Sequence, residues 1–130
     1  MQLFRKEYID FVGKYQLLRY RFTELNEADG SIHSRFEGEI AVAGEKKSVV
    51  GVGNGPIDAF FQALTGVGIN GYEFVNYHED AISKGSDAKG ICYIELKQKN
   101  NGHIFGVGIH SNINVAALRG IICAINRAEK

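Results

Sequence analysis

Gly53-Asn54-Gly55-Pro56, set directly before a stretch of helical periodicity, is the segment of this 130-residue chain best suited to binding chemistry. A glycine-rich turn that feeds a helix presents N–H groups with no intrahelical acceptor, beside the positive end of the helix dipole. It is a ready anion site. Phosphate is one candidate anion, but the run Gly51-Val52-Gly53-Asn54-Gly55-Pro56 lacks a phosphate-loop lysine and the dinucleotide glycine spacing. A carboxylate is the other. Small and apolar residues accompany the junction: Ile57, Ala81, Ala88, Ile113 and the aromatic Tyr77. A carboxylate holder beside an apolar pocket suits a hydrophobic amino acid, whose ammonium Asp58 or backbone carbonyls could accept. Glycines also turn chains and pack beneath helices, so the motif alone leaves a structural role open.

The remaining chemistry-bearing residues form no catalytic constellation. His33, His78, His103 and His110 are scattered singly, with no spacing that sets two imidazoles on one metal. Cys92 and Cys123 stand alone in apolar surroundings, as free thiols of a reducing cytoplasm would. No Gly-x-Ser-x-Gly element suggests a hydrolase. Fifteen Lys plus Arg balance 15 Asp plus Glu, which argues against nucleic acid or an anionic membrane as partner. No apolar run reaches the ~18 residues of a membrane span, and the N-terminus reads as no secretory signal. The expectation is a cytoplasmic α+β domain without cofactor or metal.

Periodicity supplies the elements that must position the junction. Residues 1–13, with Phe4, Tyr8, Ile9 and Phe11 in a weak helical stripe, read as a lead-in from an absent region. Leu18, Tyr20 and Phe22 alternate with Arg19, Arg21 and Thr23 in a first half-buried strand over Gln16–Leu25. Turns at Ala28-Asp29-Gly30 and Gly44-Glu45-Lys46 separate it from strands over Ile32–Val42 and Lys47–Val52. The period then changes: Ile57, Phe60, Phe61 and Leu64 mark a helix that Pro56 opens and Gly66 and Gly68 end. The order repeats, with strands near 72–79, 88–97 and 103–109 and a helix from about Asn112 to Ala128, capped by Ser111 or Asn112. Gly51-Val52-Gly53 and Gly106-Val107-Gly108 precede the two helices about 55 residues apart, and Ile57 and Ile113 open them. Two tandem βββα units, about 14–69 and 70–130, packed as a pseudo-twofold pair, are the economical reading.

The stretches Gly53-Asn54-Gly55-Pro56-Ile57-Asp58-Ala59-Phe60, Tyr77-His78-Glu79-Asp80-Ala81-Ile82 and Gly85-Ser86-Asp87-Ala88 resemble one known family. Gly106-Val107-Gly108-Ile109, Ala117-Leu118-Arg119 and Ala124-Ile125-Asn126-Arg127 complete the likeness. Over nearly all of residues 14–128 the chain is similar to the C-terminal allosteric and dimerisation domain of 2-isopropylmalate synthase. That resemblance implies a paired βββα domain that binds L-leucine as a feedback effector, forms a homodimer and contains no catalytic site. It further implies an absent catalytic barrel, using a divalent metal, that condenses acetyl-CoA with 2-oxoisovalerate. Carried over by position, the effector site comprises Gly53, Gly55, Ile57, Asp58, Phe74, Tyr77, Ala81, Ala88 and Ile113. A loop such as Ser83–Asp87 would order over the ligand. The alternatives are an isoleucine-binding domain of the citramalate synthase kind and a purely structural dimerisation module.

Overall fold

In the computed structural model, residues 13–81, 89–99 and 102–129 are described. Ala88, the Ser83–Asp87 loop and the stripe from Phe4 to Phe11 lie outside them. Two three-stranded antiparallel sheets form, each followed by a helix. The first unit contains β1 (Tyr15–Asn26), β2 (Ile32–Val42), β3 (Glu45–Gly53) and α1 (Pro56–Thr65). The second contains β4 (Tyr72–Ala81), β5 (Gly90–Gln98), β6 (Gly102–His110) and α2 (Ile113–Ala128). The strand order is β1-β2-β3 in one sheet and β4-β5-β6 in the other. Of the described residues, Tyr15–Asn70 make one compact unit, and Gly71–Glu129 with Gly13 and Lys14 make the other.

The βββα pattern expected from sequence is therefore present twice, with two local corrections. Leu18 does not face the core; it is 43% exposed. The β1–β2 register shifts between Leu17 and Arg19, so Leu18 is the extra residue of a bulge. Tyr15 and Leu17 face the helix before it, and Tyr20 and Phe22 after it. A bulge inserts one residue and thereby reverses the alternation that a period-2 reading assumes. The β2–β3 turn also lies one residue earlier than expected, at Ala43 and Gly44, both with positive φ (51° and 85°). A two-residue hairpin needs that backbone at both positions, which glycine adopts without strain.

Each helix packs on its second and third strands. In the first unit Phe36 is fully buried at the centre of an aromatic cluster, 5.0 Å from Phe60, 5.2 Å from Phe22 and 5.4 Å from Tyr20 between ring centroids. The opposite face carries cross-strand ion pairs, Arg19 to Glu39 at 3.7 Å and Arg21 to Glu37 at 3.4 Å. Pairs so exposed contribute at most about 1 kcal/mol each and mainly keep this face wet. In the second unit Ile94, Leu96, Leu118, Ile121 and Ile125 fill the core. Arg119 and Arg127 of α2 donate to the β6 carbonyls of Ile109 (3.2 Å) and Phe105 (2.8 Å). These bonds satisfy acceptors along the edge of that sheet.

Glycines let the helices lie close. A Cβ on Gly51 would meet the backbone of Ala59 and Ala63, and one on Gly108 would meet that of Ala116 and Gly120. Gly51 and Gly108, Ala59 and Ala116, and Ala63 and Gly120 are all 57 positions apart, which sets the register of the internal repeat. The matching of Gly51-Val52-Gly53 with Gly106-Val107-Gly108 is thus two residues out. Gly51 corresponds to Gly108, Val49 to Gly106, and Gly53 to His110. The residue equivalent to Ile113 is Pro56, not Ile57. Gly106 replaces a valine because α2 is longer than α1 and passes over it at Ala124. The last turn of α2 holds the entering chain: Gly13 abuts Asn126, and Glu129 takes Lys14 Nζ at 3.8 Å and the Tyr72 hydroxyl at 2.7 Å.

Candidate functional site

The β3–α1 junction carries four of the nine expected site residues, Gly53, Gly55, Ile57 and Asp58. Gly55 is the N-cap, extended at φ −173°, and supplies no side-chain cap. Pro56 follows as the first helical residue, where its missing N–H costs nothing. Ile57 and Asp58, as first-turn residues, have N–H groups beyond the reach of any intrahelical carbonyl. The Asp58 carboxylate folds back: its Oδ2 accepts the Asn54 N–H at 3.0 Å. It lies across Gly53, where a Cβ would come within 2.7 Å of the Asp58 carboxyl carbon. That glycine is needed for space, not for its backbone angles. No Cβ contact lies within 4 Å of Gly55, so its surface stays open.

The β6–α2 junction, its counterpart in the repeat, is closed by its own side chains. Asn112, not Ser111, is the N-cap. Its Oδ1 accepts from the N–H groups of Asn114 (2.9 Å) and Val115 (3.3 Å). His110 Nδ1 accepts the Asn112 N–H at 2.9 Å, which places the ring proton on Nε2. Burial holds the His110 pKa below the ordinary histidine value, and the charges of Arg119 and Lys89 push it the same way. Asn112 thus caps α2 at the position where Gly55 leaves α1 without a side-chain cap, and His110 stands where Gly53 makes room for the Asp58 carboxylate.

Phe74, Tyr77, Ala81 and Ile113 lie in the second unit. Three positions separate Phe74 from Tyr77, so a regular strand would send them to opposite faces. The register shifts between Phe74 and Asn76, and Val75 is the bulged residue. Phe74 now opposes Leu96 and Tyr77 opposes Ile94, on one face, with ring centroids 6.1 Å apart. Ala81 pairs with Gly90 on that same face. The Ile113 side chain overlies Gly90, its Cδ1 3.4 Å from where a Cβ would stand. Since α2 packs on β5 and β6, this side of β4 remains open, and Tyr77 is 47% exposed. The bulge also turns Glu79 to this face, opposite Cys92, while His78 and Asp80 face away and meet each other at 3.1 Å. Burial, aided by Glu79, pushes the Cys92 thiol up to about 11. Both cysteines are buried and in the thiol form.

A glycine-framed, uncapped helix start thus stands in the first unit, and an apolar, half-open strand face in the second. Among the described residues no three His, Cys, Asp or Glu side chains gather as metal ligands, and no helix is long and apolar enough to cross a membrane. Comparison with known proteins matches residues 1–129 to the LeuA allosteric (dimerisation) domain. The chain belongs to that family.

Relatives of this LeuA domain bear the name 2-isopropylmalate synthase. The protein of Clostridium acetobutylicum is 34% identical over 129 residues, 98% of this chain and 23% of its own length. That of Thermobifida fusca is 41% identical over 92 residues, 71% of this chain and 16% of its own. That of Mycobacterium leprae is 35% identical over 127 residues, 97% of this chain and 20% of its own. The chain therefore spans about a fifth of these synthases, and the LeuA domain carries no catalytic domain. Reading the sequence misses the bulges that aim the LeuA domain's aromatic rings. Their one trace is the shared spacing of Tyr15 and Tyr20 with Tyr72 and Tyr77, again 57 positions apart.

Proposed function

We propose that this chain is the effector-binding and self-associating domain of a 2-isopropylmalate synthase, with L-leucine as its feedback effector. The parent enzyme condenses acetyl-CoA with 2-oxoisovalerate in a separate barrel that uses a divalent metal. The observation that carries the reading is the unequal finish of two otherwise matched helices: Asn112 closes α2, whereas α1 begins at Gly55 without a side-chain cap. In the first unit the amides of Ile57 and Asp58 suit a carboxylate; in the second unit, taken by itself, the face of Phe74, Tyr77, Ala81 and Ile113 suits an isobutyl group. Burying that group contributes roughly 1.5–3 kcal/mol, and charge-assisted hydrogen bonds add to it. Inhibition follows only if leucine binds the inhibited arrangement better than the active one.

Calorimetric titration of the chain with L-leucine and L-isoleucine tests this reading. Saturable leucine binding, tighter than isoleucine, is the expected result. Tighter isoleucine binding would replace the effector. Heat from neither at millimolar concentration would reduce the domain to an assembly module.

A further inference from the structure

The core of the first unit contains one polar side chain that packing does not explain. Ser34 is 8% exposed, and among the described residues its hydroxyl has no hydrogen-bond partner. Burying a hydroxyl unpaired costs free energy that a methyl group would not. The β2–β3 register sets where it points: Ser34 lies directly opposite Gly53, two residues before the buried Phe36, and so projects to the helix side. On that same side the Asp58 carboxylate lies across Gly53. Asp58 Oδ2 takes the Asn54 amide. Among the described residues Asp58 Oδ1 and the N–H groups of Ile57 and Asp58 have no partner.

The second unit carries no such set. The residues matching Ser34, Gly53 and Asp58 are Gly90, His110 and Val115, and Ile113 overlies Gly90. Both polar side chains are thus peculiar to the uncapped helix start. Charge assigns their role. A ligand carboxylate beside Ser34 would meet the negative charge of Asp58, whereas an ammonium group would be drawn to it. The amides at the positive end of α1 suit the anion instead. These two roles match the two charged ends of an α-amino acid.

We propose that the Ser34 hydroxyl and Asp58 Oδ1 together accept the ammonium group of the amino-acid effector, so that the first unit by itself holds both charged ends. The proposal rests on the effector reading above and uses no residue of the second unit. It is tested by calorimetry and urea unfolding of the chain, with L-leucine and with 4-methylpentanoate, the same skeleton without the amino group. Ser34→Ala is expected to weaken leucine at least fivefold and to leave 4-methylpentanoate within twofold of wild type. Its urea midpoint should not fall, because the hydroxyl it removes is buried and unpaired. Ser48→Ala, on the exposed face of the same sheet, is expected to leave leucine within twofold. Leucine binding within twofold of wild type in Ser34→Ala overturns the proposal. Equal weakening of both ligands also overturns it, by giving the hydroxyl to the carboxylate, and a clearly lowered midpoint does so by giving it a structural role. A wild-type chain that ignores leucine but binds another α-amino acid with the same Ser34 dependence refutes leucine and upholds Ser34. A wild-type chain that binds no amino acid refutes both.

Discussion

At Gly51 and Gly108 a single hydrogen in place of a methyl group decides whether a helix can lie on its sheet. A methyl at Gly108 would fall 2.7 Å from the Gly120 nitrogen, and one at Gly51 would fall 2.9 Å from the Ala63 Cα. Both obstacles are backbone and cannot rotate aside. Gly51→Ala and Gly108→Ala are each expected to destabilise by about 1–3 kcal/mol, the usual cost of overpacking. Gly55→Ala, with open space and an extended backbone, escapes overpacking and should cost only about 0.5–1 kcal/mol, the difference between glycine and alanine as N-cap. Urea midpoints of the three variants check this ordering, and equal midpoints would contradict it. The sequence showed that glycines crowd these junctions. It did not show which were needed for space.

The two helix starts differ at the level of the element. Asn112→Ala removes the acceptor for two first-turn amides and should cost about 1 kcal/mol. Gly55→Ser does the reverse: it gives α1 the cap it lacks and should gain a few tenths of a kcal/mol. It also places a hydroxyl among the amides assigned to the effector carboxylate. Thermal unfolding and leucine titration of Gly55→Ser should therefore move in opposite directions, stability up and affinity down. Unchanged affinity would remove the carboxylate from this junction. The strands were legible as alternating runs, but their bulges were not. Counting by twos placed Leu18 inside, and would also have set Phe74 and Tyr77 on opposite faces. One extra residue in β1 and one in β4 reverse both outcomes.

For the whole molecule, membership of a dimerisation-domain family gives a direct expectation. Light scattering of the chain should return twice 14.3 kDa at micromolar concentration, with or without leucine. A monomer under both conditions would overturn self-association through this domain.

Much of the architecture of the described residues was determined by the sequence alone: six strands and two helices in a repeated order, and a glycine-rich junction at Gly53-Asn54-Gly55-Pro56 that opens a helix. These are local properties, written in periodicity and in the few residues that start or stop an element. Tertiary structure decided the register of the repeat, because Gly-Val-Gly looks the same when a strand slides by two. Only the contacts of Gly51 with Ala59 and Gly108 with Ala116 set it at 57. Tertiary structure also decided which side chains share a face. A bulge depends on how a strand is paired, and pairing is set by residues far away in the chain. That is why only the folded sheet showed that Phe74 shares a face with Tyr77 and Ala81.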